Sequence, residues 1–130
     1  MIIHESAENY LETILILSRN LSAVRSIDIV NELDYTRPSV SVAMKNLRES
    51  GYIAMDEDGY ITLTDTGQTI AETMYERHIL LSGWLMRLGV PEETALEDAC
   101  KIEHVISAAS FEAIKAHVRP ANEGAEQGAK

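Results

Sequence analysis

One cysteine in 130 residues cannot form an internal disulfide. The fold must therefore rest on a buried core, which this length can supply, and a reducing compartment is expected. Long apolar runs are missing too. The densest, "ILLSGWLM", falls far short of the roughly 18 residues a membrane span needs. The opening "MIIHESAENYLE" has no basic region followed by an apolar run, so no signal peptide is expected and the chain reads as soluble and cytoplasmic. No Gly-rich or loop-borne feature marks a substrate pocket, and no internal repeat is visible. Positive charge is short: 11 Lys and Arg stand against 21 Asp and Glu, for a net charge of −10. That balance excludes a uniformly basic nucleic-acid binder.

The charge is unevenly spread. Residues 51–130 hold 14 acids and 6 bases, whereas residues 24–50 are neutral and Arg37 to Ser50 alone carry +2. A locally basic segment on an acidic body is compatible with DNA binding.

The pattern predicts a helix over 6–19, capped by Ser6, with Tyr10, Ile14 and Leu17 on one face. Ser26 is expected to cap a short helix, "IDIVNEL", with Asp28 in its first turn. After a tight turn, "RPSVSVAMKNLRESG" offers Thr36 as cap, Pro38 in the first turn, an apolar stripe of Val40, Met44 and Leu47, and Gly51 at the C-terminus. "YIAMDEDGYITLT" then alternates around Asp58-Gly59, a strong hairpin signal. Helix, turn, helix and hairpin make a winged helix-turn-helix. A long helix is expected from Asp65 to Leu88, with Gly67 a blemish near its start, then helices over 91–106 and 107–118. The fold class is mainly α. The expected division is a winged helix-turn-helix domain at 1–64, a helical domain at 65–118, to which the resemblance given below assigns metal binding and dimerisation, and a disordered tail at 119–130.

A helix entering the major groove reads bases with its first turns. Here those turns offer Thr36, Arg37, Pro38, Ser39, Ser41 and Val42. Lys45 and Arg48 lie one and two turns on, within reach of phosphates, and Tyr60 is the wing's contact candidate. The acids at 56–58 would be repelled by phosphate. Winged helices also serve as protein-interaction modules, which the local charge weighs against.

A second set of polar residues points elsewhere. Asn9 and Glu12 are spaced i, i+3 on the first helix. His78 interrupts apolar neighbours on the long helix. "CKIEH" places Cys100, Glu103 and His104 on one face of the next. Singly, each is an ordinary surface or core residue. Together they form a mixed O, N and S set suited to a first-row divalent ion, in the way helical bundles build such sites. A hydrolytic zinc site would need an open coordination position and a substrate pocket, so no enzyme is expected.

"ENYLETI", "SIDIVNEL", "RPSVSVAMKNLRESGYI", "LTDTGQTIAETMYERH" and "EDACKIEHVIS" resemble, in order and spacing, the diphtheria toxin repressor family of metal-dependent transcriptional regulators. The resemblance spans roughly residues 5–118. It implies a winged-helix domain followed by a helical dimerisation domain. It also implies a homodimer that binds a palindromic operator when loaded with Fe2+ or Mn2+ and represses metal-uptake genes. Asn9, Cys100, Glu103 and His104 match the activating site of iron-type members, and Glu12 and His78 match further ligands of manganese-type members. The chain departs from both patterns. Asn9 stands where iron-type members carry Met and manganese-type members Asp, and Cys100 is the iron-type thiol where manganese-type members carry Glu. Ser82 and Leu96 leave the ancillary iron-type site incomplete, and no residues remain for an SH3-like domain. Fe2+ is the first expectation and Mn2+ the second. The alternative is a metal-independent winged-helix regulator answering to a small molecule or protein partner.

Overall fold

The computed structural model describes residues 5–129, with side chains as far as Val118. In order along the chain come α1 (Glu5–Asn20), α2 (Ser26–Leu33), α3 (Arg37–Glu49), β1 (Ile53–Met55), β2 (Ile61–Leu63), α4 (Asp65–Arg87), α5 (Glu92–Val105) and α6 (Ala108–Ala129). The chain parts into two compact units, one reaching to Tyr75 and one beginning at Glu76, so the division falls inside α4. The sequence reading places it earlier, at the start of that helix. The difference has a packing cause: Ala71 is buried in the first unit's core, and Ile70 and Tyr75 pack against it.

In the first unit, α1 buries Tyr10, Leu11, Ile14, Leu15 and Leu17, a helical stripe. It meets Ile29 of α2, Val40 and Met44 of α3 and Ile53 and Ile61 of the hairpin in one core. The turn between α2 and α3 is made by Asp34 at φ 57°, a left-handed position that Asp tolerates better than most residues. Thr36 then caps α3, its Oγ1 accepting from the Ser39 N–H at 3.3 Å. At the far end Gly51 has φ 85°, the Gly51 N–H donates to Arg48 O and the Tyr52 N–H donates to Leu47 O. This is the left-handed helix stop the sequence signalled.

The expected cap of α2 differs. Ser26 is the first helical residue and Arg25 occupies the cap position. The Asp28 carboxylate accepts the Arg25 N–H at 2.8 Å, so the acid three residues in closes the helix start without a hydroxyl. In the hairpin Ile53 pairs with Leu63, Ala54 with Thr62 and Met55 with Ile61. Asp56 Oδ1 accepts the N–H groups of Asp58 and Tyr60, each at 2.9 Å, which shapes the wing tip. The Ile61 N–H donates to Val24 O at 2.7 Å and ties the wing to the segment before α2.

Gly67 is more than a blemish. A Cβ there would overlap the Tyr52 backbone carbonyl, so the start of α4 lies against the end of the α3–β1 connection only because residue 67 has no side chain. Thr64 holds the same junction. Its Oγ1 donates to Gly51 O at 2.7 Å and its N–H donates to Tyr52 O at 3.1 Å.

In the second unit Leu81, Ala99 and Phe111 form the core, with Leu80, Trp84, Ile102, Ile106 and Ile114 packed around it. The apolar residues of α4 and α5 divide between this core and the outside. Leu80, Leu81, Trp84 and Ile106 serve the core, while Leu88 is 65% and Val105 74% exposed, joined outside by Ile79, Met86 and Leu96. The sequence ends the last helix at 118 and leaves 119–130 as a disordered tail. The backbone of α6 is described as far as Ala129. Among the described residues no helix is long and apolar enough to cross a membrane.

Gly67→Ala should destabilise the first unit by about 1–3 kcal/mol, as overpacking against backbone does. Gly83→Ala, whose added methyl would meet only the Arg87 guanidinium at 3.7 Å, should be neutral or stabilising by up to about 1 kcal/mol. Thermal unfolding of the two variants reads the opposite signs. Burial, and then the neighbouring Tyr35, push the Tyr10 hydroxyl above its ordinary pKa of 10.0. The folded chain then holds this proton where the unfolded chain has lost it, so stability falls as pH rises through and above that range. Urea unfolding across alkaline pH should show a smaller loss for Tyr10→Phe than for the parent.

Candidate metal centre and nucleic-acid interface

α5 carries a buried stripe at i, i+4, i+8: Ala95, Ala99 and Glu103. Its first two positions are alanines, and the third, in the last turn, is a carboxylate at 0% exposure. Full burial of an ionised carboxylate costs several kcal/mol unless it is paired and hydrogen-bonded. Here Glu103 Oε2 lies 3.0 Å from His78 Nδ1 of α4, and Oε1 lies 3.3 Å from His104 Nε2. The His104 side chain is itself nearly closed off from solvent, and that of His78 is 21% exposed.

Cys100 lies one turn before His104 and is accessible to solvent. One ligand atom from each of Cys100, Glu103 and His104 lies within 4.8 Å of the others, close enough to share an ion. The donor chemistry fits a first-row divalent cation: a thiol, a carboxylate and two imidazoles, with the carboxylate held in a dry place where a cation's charge is weakly screened. His78, Cys100, Glu103 and His104 are thus the sequence-predicted ligands that the second unit gathers. Asn9 and Glu12 lie on α1 of the first unit, Asn9 half-buried and Glu12 buried. The Thr13 hydroxyl donates to Asn9 O at 2.8 Å and leaves the Asn9 side-chain amide out of that bond.

Arg77 was not singled out from the sequence. It precedes His78 on α4 and reaches α5 by its guanidinium, donating from one terminal nitrogen to Glu103 O at 3.0 Å and Ile106 O at 3.1 Å. No local spacing rule signals such a contact, because it joins residues 26 and 29 positions apart.

On the first unit, Thr36, Arg37, Pro38, Ser39, Ser41, Val42, Lys45 and Arg48 are all exposed on α3 or its cap, with Val42 at 59%. Thr36 and Ser39 are partly committed to each other, the Thr36 hydroxyl donating to Ser39 Oγ at 2.8 Å. Ser41, Lys45 and Arg48 line a recess of about 310 Å³ together with Ser26 and Met55. Two cations and two hydroxyls in a concavity suit phosphate oxygens. Tyr60 on the wing lies beneath the Arg25 guanidinium, 4.4 Å from cation to ring centre. Arg25 is a cation that sequence reasoning counted only as charge. Its place just before the first helix of the helix-turn-helix, which crosses the DNA backbone, was the available signal.

The iron dependent repressor N-terminal DNA binding domain matches residues 3–61, and the iron dependent repressor metal binding and dimerisation domain matches residues 64–123. The chain is 32% identical over 111 residues to the transcriptional regulator MntR of Escherichia coli, covering 85% of this chain and 72% of that one. It is 32% identical over 113 residues to an uncharacterized HTH-type transcriptional regulator of Methanocaldococcus jannaschii, covering 85% and 90% respectively. Among solved structures it resembles the manganese regulator SloR, with a TM-score of 0.78 at 26% identity over 92% of this chain and 55% of that one. A manganese-dependent transcriptional repressor in complex with manganese gives the same score and identity over 85% and 51%. The chain spans about half the length of these two solved relatives. A winged DNA-binding unit followed by a helical unit with a carboxylate, imidazole and thiol cluster agrees with both halves of that match, and the chain belongs to the iron-dependent repressor family of metal-dependent transcriptional regulators.

Proposed function

We propose that the protein binds a palindromic operator as a homodimer when loaded with Fe2+ or Mn2+, and that it represses metal-uptake genes. The observation that carries this reading is the fully buried Glu103 carboxylate set between two imidazoles, one turn from an accessible thiol, in a member of this family.

Each ligand has a distinct part. Glu103 supplies a charged oxygen, His104 and His78 supply ring nitrogens, and Cys100 supplies sulfur or its backbone carbonyl. Asn9 and Glu12 complete the proposed set, the first with a neutral carbonyl oxygen and the second with a carboxylate. Their support is the i, i+3 spacing on α1 and the family match. A bound divalent ion supplies two positive charges and directional coordination. The thiol favours iron as first choice over manganese. Leu88 and Val105 are exposed apolar side chains that the second copy would cover. In the dimer, the two α3 helices would read half-sites roughly 34 Å apart, with Arg37 and Ser41 toward base edges and Lys45 and Arg48 toward phosphates. Linkage makes ion and operator raise each other's affinity by the same factor, typically about 1–3 kcal/mol.

In anaerobic gel shifts on the DNA upstream of the protein's own gene, binding should appear with Fe2+ or Mn2+ and vanish with chelator. Glu103→Ala and His104→Ala should lose the ion response while circular dichroism shows the helices retained. Full ion-dependent binding by both variants would reject the site, and chelator-resistant binding would favour the metal-independent regulator. At saturating ion, Arg37→Ala should cost about 1–3 kcal/mol and relax base preference, whereas Lys45→Ala should weaken all sequences alike and reduce the salt slope by about 1. Titrations at several salt concentrations separate the two.

A further inference from the structure

We propose that Arg77 is a positioning residue of the metal centre, one that fixes the Glu103 backbone so that the Glu103 carboxylate stays where the ligand set needs it. The inference rests on the proposed metal-dependent function and extends it to a residue outside the ligand set.

The geometry begins at the end of α5. The last carbonyls of a helix have no N–H partners of their own. Here the helix closes with the Ile106 N–H donating to Ile102 O, which leaves the carbonyls of Glu103 and Ile106 to be met from outside. Arg77 meets both, at 3.0 and 3.1 Å, and brings a cation to the negative end of the helix. Its guanidinium also lies over the Phe111 ring at 5.4 Å, so one side chain of α4 seats the end of α5 against α6.

The residue held in this way is the one whose carboxylate meets His78. Arg77 and His78 are consecutive on α4, and they grip the same residue of α5 by its two ends: Arg77 by the backbone carbonyl and His78 by the carboxylate, each at 3.0 Å. A shift of α5 along α4 would break both contacts together. The Arg77 Nε is buried without a hydrogen-bond partner, a cost that the two carbonyl bonds must outweigh. The charge of Arg77 works in the opposite sense, since a guanidinium repels a bound cation. Removing Arg77 therefore has a sign that reveals its role: weaker ion binding if it positions Glu103, tighter binding if its charge dominates.

Co2+ is the probe, titrated anaerobically into the full chain, with the saturated visible spectrum reporting ligand geometry. Arg77→Met should weaken Co2+ binding by about 10–100-fold, the usual penalty for losing support of a ligand, and should change the bands at saturation. Arg77→Lys, still able to donate to a carbonyl, should recover most of both. Lys115→Met removes an exposed 3.0 Å pair with Glu76 in the same unit and should change neither. A merely structural Arg77 would lower the melting temperature of the ion-free protein but leave the saturated spectrum as in the parent, which would overturn the proposal. So would parental affinity in Arg77→Met, or tighter binding. If Arg77→Met does not fold, Arg77→Gln is judged by the same two readings. A parent chain that shows no saturable Co2+ binding would defeat the metal centre itself, and this inference with it, before any substitution is made.

Discussion

The burial of the Glu103 carboxylate is the constraint on which the second unit depends. A single acid at 0% exposure is tolerable only where its partners are fixed in advance, because side chains that must reorganise to meet a charge forfeit much of what they gain. α4 meets this demand with Arg77 and His78. Leu81, Ala99 and Phe111 then close an apolar core beside the acid. His78 holds the carboxylate at 3.0 Å and Arg77 holds the same residue's carbonyl, so the buried charge is gripped at both ends from one helix.

The first unit distributes charge by another logic. α3 turns its apolar stripe inward and exposes Arg37, Ser41, Lys45 and Arg48, so base-reading and phosphate-seeking groups share one solvent face. The wing adds acid: Asp56, Glu57 and Asp58 at its tip. Asp56 has a structural reason to be there, since its carboxylate accepts two wing N–H groups. Glu57 and Asp58 face solvent. An acidic wing tip next to a duplex is repulsive, which places the burden of contact on α3 and on the Arg25–Tyr60 pair beside that tip. That pair lies where Val24 joins Ile61, so a cation next to the wing is held by the same backbone that attaches the wing.

Much of this was legible in the sequence because its rules are local. Thr36 with Pro38 announces a helix start, Gly51 announces a helix stop with positive φ, and Asp58-Gly59 announces the hairpin. The cluster of Cys100, Glu103 and His104 was legible for the same reason, being a spacing on one helix. What escaped was non-local. Gly67 reads as a weak helix former until the Tyr52 carbonyl is seen against it. Arg77 reads as a surface cation until its two carbonyl partners on another helix are found. The apolar run of α4 could not be divided between core and outer face from periodicity alone, because both demand the same residue types. The cap of α2 was misplaced by one residue, since Ser26 has the right chemistry but Asp28 does the work.

The donor set carries a selectivity problem that its geometry frames. Sulfur and two imidazoles, taken alone, bind the later first-row ions more tightly than iron or manganese, following the general affinity order. A sensor of Fe2+ or Mn2+ built only from Cys100, His78 and His104 would therefore hold zinc or copper in preference. Hard oxygen ligands and a coordination number above four work against that order, because they suit octahedral ions better than tetrahedral ones. In the proposed set Glu103 would supply one such oxygen from the second unit, and Glu12 and Asn9 two more, one of them uncharged. With the proposed ligands, the amide at position 9 would keep an oxygen in the coordination shell while withholding the charge that draws the hardest ion, and the Cys100 thiol would tilt the balance toward iron over manganese.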